Sequence, residues 1–306
     1  MRILFAGTPN VVLPSLEWIA SSEHELVGVL TRPAAAQGRS SALIDSPAAQ
    51  FAKRNSLHLY TSLDALTAED LLPSVDLVVV IAYGKIIPND LLGIPKHGWI
   101  NVHFSLLPKY RGAAPVQRAI WNGEDSLGIS IFQLDAGMDT GPIYLQKSVS
   151  INDGQSSGEC LEIMGHMVPG MLAESLIKIQ NLETPEPQDD SLSTAAPKID
   201  KSESRIDWNN SAVAIRNMVR ALNPAPRAKS TFRENEVFFY EVKVSGIKSE
   251  KTPGTITYDN KHLFAATNDF DLEVIKIQSS GKNLMSGADW FRGIQSMDDA
   301  LEIKYV

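Results

Sequence analysis

Asn101-Val-His-Phe-Ser-Leu-Leu-Pro-Lys-Tyr-Arg-Gly-Ala-Ala-Pro115 leaves a predicted strand, crosses a loop and enters a predicted helix. The strand is read over residues 98–104 and the helix over 114–122. Residues i and i+2 of a strand share a face. Asn101 and His103 therefore converge on one spot, and Val102 and Phe104 are expected to face away. Working outward, residues 2–6, 26–30 and 75–82 read as apolar strands. Helices are read over 14–20 and from Pro47, where Ser46 is placed to cap. The near-continuous apolar run 75–82 suits the middle of a parallel sheet. Further strands fall at 129–134 and 143–149. Strands alternating with helices predict an α/β fold with a doubly wound sheet, its site at the carboxyl ends of the strands.

The 306 residues are enough for two cores, because one core rarely grows beyond ~250–300 residues. A helical pattern over 156–181 is interrupted by Pro169-Gly170, which predicts a kink or a split. Residues 182–203 are rich in Pro, Ser, Thr and Asp, lack periodicity and read as a linker. Beyond them a helix over 211–222 precedes short strands at 237–244, 254–258, 263–266 and 272–278. Gly and Asn/Asp turns separate these strands and predict a small antiparallel β-barrel. The expected division is thus 1–181, 182–203 and 204–306.

The single cysteine, Cys160, excludes an internal disulfide and a cysteine metal cluster, and it fits a reducing compartment. No apolar run nears the ~18 residues that span a bilayer, and the first residues read as a strand rather than a signal peptide. The net charge of −8 is unevenly spread. From Ser204 onward there are 14 basic and 13 acidic residues; before it there are 14 and 23. The C-terminal part is therefore the less repulsive to phosphate.

Downstream, Asp135-Ala-Gly-Met-Asp139-Thr-Gly141 is a glycine-rich loop able to return a carboxylate to the spot shared by Asn101 and His103. Asn101 offers a neutral N–H to a developing oxyanion. His103 can move a proton near neutral pH. Asp139 would orient the imidazole and stabilise its charged form. Together they are the parts needed to move an acyl group onto a nucleophile.

The run Asn-x-His-x-Ser-Leu-Leu-Pro-x-Tyr-Arg-Gly-Ala-Ala-Pro, followed by Asp-x-Gly-x-Asp-Thr-Gly, resembles the formyltransferases that use 10-formyltetrahydrofolate. The likeness is greatest to the branch whose acceptor is initiator Met-tRNA. It also covers Phe5-Ala-Gly-Thr-Pro9, Ile81-Ala-Tyr-Gly84, Ile206-Asp-Trp208 and Arg220-Ala-Leu-Asn-Pro-Ala-Pro226. The resemblance implies a Rossmann-like domain followed by an OB-like β-barrel that binds tRNA. It implies Asn101, His103 and Asp139 as the catalytic three. Folate is expected at Ser105, Leu106, Leu107 and Pro108 and at the Tyr83-Gly84 turn. Arg39 is expected to touch the acceptor stem. The implied co-substrate is 10-formyltetrahydrofolate, with no metal, no membrane, a cytoplasmic location and a monomeric state. Gly7-Thr-Pro9 lacks the Gly-x-Gly-x-x-Gly pattern, so a dinucleotide is not expected.

The chain departs from that pattern in places. The loop Gly38-Arg-Ser-Ser-Ala42 keeps Arg39 but lacks the lysines that usually follow. Phe104 stands where a small residue is usual, and Ala225 and Arg227 stand where Trp and Gly are common. Two alternatives remain open. One is formylation of a small amine such as a nucleotide-linked amino sugar. The other is a folate- or RNA-binding protein without turnover.

Overall fold

The computed structural model describes residues 1–36, 42–295 and 304–306. The chain divides into two compact units. The first comprises 1–115, 126–149 and 161–197, and the second 116–125, 150–160 and 198–306.

Leu77–Ile81 is Leu-Val-Val-Val-Ile, buried at every position. β-branched residues favour the pleated backbone, and burial on both faces is what a central parallel strand needs. It lies in a seven-stranded sheet ordered Leu59–Tyr60, Glu25–Leu30, Arg2–Gly7, Leu77–Ile81, Trp99–His103, Ser126–Gln133, Ile143–Ser150. The first five strands are parallel. Gly7 allows two backbones to close up, since a Cβ there would stand 2.8 Å from the Ile81 carbonyl oxygen. Ser46 caps the helix Pro47–Arg54 by accepting from the Ala49 N–H at 3.1 Å.

Ser126–Gln133 runs antiparallel to Trp99–His103, with Gln133 opposite Ile100 and Ser130 opposite His103. That reversal matters for the site. The loop after Gln133 leaves beside the start of the neighbouring strand, and it must double back to reach that strand's end.

Two further observations adjust the sequence reading. Pro169 does not split its helix, which runs unbroken over Ser157–Gln180. Residues 186–196, featureless in sequence, are held by backbone pairing. Ile143 bridges to Glu186, and Arg111 bridges to Ala195.

The second unit is an antiparallel sheet ordered Ala228–Phe232, Asn235–Lys248, Phe270–Ser279, His262–Ala265, Ile256–Asp259. Its two edges are joined by the chain's last residues. Thr231 and Val306 exchange both backbone hydrogen bonds, and Lys304 bridges to Thr255. Closure of this kind removes exposed sheet edges. Aromatic rings fill the interior: Trp208 stacks on Tyr305 at 5.3 Å, and Phe239 meets Tyr305 edge-on at 5.2 Å. The Trp208 indole N–H donates to Ser230 Oγ at 3.1 Å, which in turn donates to the Val306 carbonyl. Trp208→Ala should therefore destabilise this unit by about 3–5 kcal/mol, measured by urea unfolding followed through the barrel's remaining aromatic residues.

Candidate active site

Trp99–His103 delivers Asn101 and His103 to the same face, as alternation requires. His103 is almost fully buried, and its Nε2 lies 2.8 Å from the Tyr110 carbonyl oxygen. A carbonyl only accepts, so Nε2 carries a hydrogen. The other nitrogen, Nδ1, lies 3.6 Å from Asp139 Oδ2. The same Oδ2 accepts the Gly112 N–H at 2.8 Å. The carboxylate is thereby fixed between a backbone donor and the imidazole.

The loop carrying Asp139 is built to double back. Asp135 Oδ1 accepts from the Gly137 N–H at 3.0 Å and the Thr140 hydroxyl at 2.7 Å. Gly141 touches the loop's other foot, where a Cβ would stand 1.8 Å from the Gln133 carbonyl oxygen. Asp139 itself takes a left-handed backbone with φ of 56°, which asparagine and aspartate tolerate best among non-glycine residues.

These groups face a cavity of about 660 Å³, within the usual size of small-molecule sites. Its walls come from Tyr83–Ile87, from the loop around Asp139, and from Gly112 and Ala113. Ile86 and Met138, both largely exposed, contribute apolar surface to it. The Asn101 side chain also lines it, and among the described residues that amide makes no hydrogen bond. The Tyr83 hydroxyl is buried and likewise unpartnered. Burial pushes the Tyr83 phenol up, against the opposing charge of Arg32, so it stays neutral at physiological pH.

The structure thus brings Asn101, His103, Asp139, Tyr83 and Gly84 to one cavity. Ser105, Leu106, Leu107 and Pro108 are not among its lining residues. Ser105 is buried, with its hydroxyl donating to the Lys109 carbonyl at 2.6 Å. Leu107 is held by Ser130 and Gln146. Val102 and Phe104, read as facing away, border the cavity too. Arg39 lies outside the described residues. Arg227, in the second unit, donates to Tyr240 Oη at 2.7 Å and sits over the Phe238 ring at 4.6 Å. Among the described residues no group of three His, Cys, Asp or Glu is placed to hold a metal ion.

Sequence reasoning missed the backbone parts of the site, the Tyr110 carbonyl and the Gly112 N–H. The only signal for them was Gly112 itself. Its φ is 125°, and a Cβ there would meet the Ala196 carbonyl oxygen at 2.7 Å.

Comparison with known proteins gives the family. A profile described as formyl transferase matches residues 1–168, and one described as formyl transferase, C-terminal domain, matches 198–295. A methionyl-tRNA formyltransferase of Salinispora tropica is 38% identical over 304 residues, covering 96% of this chain and 97% of that protein. HypX from Aquifex aeolicus, solved in complex with tetrahydrofolic acid, superposes with a TM-score of 0.70 at 16% identity. That match covers 99% of this chain and 50% of that one. Methionyl-tRNA formyltransferase from Clostridium thermocellum superposes with a TM-score of 0.59 at 18% identity, over 90% of this chain and 99% of that one. At such identities the two structures speak to the fold.

Gly112→Ala should displace the N–H that anchors Asp139. A shift of about 1 Å in a catalytic group typically costs ~10²-fold in rate. Steady-state kinetics, with circular dichroism to confirm retained fold, should show that loss.

Proposed function

The chain belongs to the formyl transferase family, and on that premise we propose that it transfers the formyl group of 10-formyltetrahydrofolate to the α-amine of methionine on initiator tRNA. The observation that carries this reading is the meeting of Asn101, His103 and Asp139 at one cavity. The near-full-length likeness to methionyl-tRNA formyltransferases supports the acceptor.

Formyl transfer passes through a tetrahedral intermediate. In this reading the unpartnered Asn101 amide donates to the developing oxyanion, a contact whose removal typically costs ~10²–10³-fold. His103 Nε2 is tied to a carbonyl, so the proton that moves does so at Nδ1. That nitrogen accepts a proton from the attacking amine and returns one to the departing folate nitrogen. Asp139 Oδ2, beside it, stabilises the charged ring. The folate supplies the formyl group on N10. The cavity walls at Tyr83, Gly84 and the Asp139 loop hold its ring system, with Ser105–Pro108 shaping the adjoining backbone. Hydrolysis would compete at the reacting carbon, and Ile86 and Met138 give the cavity apolar surface.

The remaining assignments follow from the same reading. Residues 1–181 form the catalytic part, 182–203 the connection, and 204–306 the tRNA-binding part, with Arg39 at the acceptor stem. One chain carries all three catalytic residues, and a monomer suffices. The site of action is the cytoplasm, where initiator tRNA is used. No helix among the described residues is long and apolar enough to cross a membrane.

The test offers labelled 10-formyltetrahydrofolate with charged initiator Met-tRNA, charged elongator Met-tRNA and small amines in parallel. Label on the initiator alone is expected. Label only on a small amine overturns the acceptor, and no transfer overturns the chemistry. His103→Ala should lower the transfer rate by ~10²–10⁴-fold and leave folate binding intact by fluorescence titration. Wild-type turnover in that variant contradicts the role of His103.

A further inference from the structure

One side chain outside the catalytic three touches both loops that build the site. Gln188 lies in the stretch that reads in sequence as a polar linker. Its Nε2 donates to the Asp139 carbonyl at 2.9 Å and to the Gly141 carbonyl at 2.7 Å. Its Oε1 accepts from Arg111 Nε at 3.1 Å and from an Arg111 terminal nitrogen at 2.6 Å. Both donors and both lone-pair directions of the amide are used, which is the full capacity of the group.

The two ends of this bridge are the two ends of the catalytic constellation. Arg111 is flanked by Tyr110, whose carbonyl holds His103 Nε2, and by Gly112, whose N–H holds Asp139 Oδ2. Asp139 and Gly141 belong to the loop that doubles back over the sheet. Neighbouring residues reinforce the same clamp. Thr194 Oγ1 accepts the Tyr110 N–H at 2.8 Å, and the Thr194 carbonyl accepts the Arg111 N–H at 2.8 Å. Asp190 pairs with Arg111 at 2.7 Å. Those contacts reach one loop only. Gln188 alone among them also reaches the Asp139 loop.

We propose that Gln188 is a positioning residue that sets the separation of His103 and Asp139 by cross-linking their two loops through one amide. The proposal rests on the formyl-transfer reading of the site. Its chemical content is specific. The Asp139 loop presents two carbonyls, so the bridge requires a neutral donor there, while the Arg111 side requires an acceptor. An amide supplies both, with two donors on one atom and two acceptor directions on the other. A carboxylate of the same length would keep Arg111 but face the two carbonyls as a third acceptor. Protonation would restore one donor.

Gln188→Glu and Gln188→Ala test this with steady-state formyl transfer across pH and with thermal unfolding. For Gln188→Glu at pH 7.5, kcat should fall ~10–10²-fold, the size expected of a misplaced catalytic group. Its deficit relative to wild type should narrow only as pH falls below ~4, because the Arg111 pair it keeps holds the new carboxyl ionised to lower pH before it regains a proton to donate. Gln188→Ala should show a similar loss at pH 7.5 that does not narrow. If the Ala variant fails to fold, the pH behaviour of the Glu variant decides. Wild-type kcat in Gln188→Glu, or a deficit that is flat with pH, overturns the proposal. An inactive wild-type protein would instead overturn the formyl-transfer reading, so the two failures are distinguishable.

Discussion

One carboxylate oxygen holds the site together. Asp139 Oδ2 lies between the Gly112 N–H and His103 Nδ1, while His103 Nε2 is tied to the carbonyl two residues before Gly112. A strand end, the loop after it and the loop from the antiparallel neighbour are thereby closed into one ring of contacts. Removing Asp139 Oδ2 would leave the Gly112 N–H and His103 Nδ1 without this shared partner. In the proposed reaction the imidazole keeps one nitrogen committed to structure and leaves the other for chemistry, which is how a single histidine can be both rigid and reactive.

That ring demands backbone conformations that chains avoid. Asp139 and Tyr110 both sit at positive φ, at 56° and 61°. Each such residue costs roughly 1–2 kcal/mol relative to ordinary backbone. The cost is offset by the segment 186–196, which binds both loops through backbone bridges and through Thr194, Asp190 and Gln188. Strain concentrated at a site and held by its surroundings is a common feature of catalytic loops. Here the holding segment comes from a stretch far away in sequence.

Much of this was legible beforehand, for physical reasons that differ by element. Leu77–Ile81 announced a central strand because burial on both faces leaves only apolar residues. Asn101 and His103 announced a shared face because the strand period is two. Ser46-Pro47 announced a helix start through its cap. The strand at Ser126–Gln133 was legible but its antiparallel direction was not, because periodicity carries no direction. The unbroken helix through Pro169 ran against a local rule that tertiary context overrode. The role of residues 186–196 was hidden because a polar stretch that satisfies the backbone of two loops reads, one residue at a time, like a solvated linker. The Tyr110 carbonyl and Gly112 N–H were invisible for a simpler reason: every residue has a backbone, and only folding selects which groups are aimed.

The claim on which the account turns is that His103 keeps Nε2 protonated and works through Nδ1. Nitrogen-15 NMR of protein labelled at its histidines, with His103→Ala used to assign the signal, reads this directly. The account predicts a neutral His103 that carries its hydrogen on Nε2 and leaves Nδ1 bare. A neutral His103 protonated on Nδ1, with Nε2 free, would contradict it.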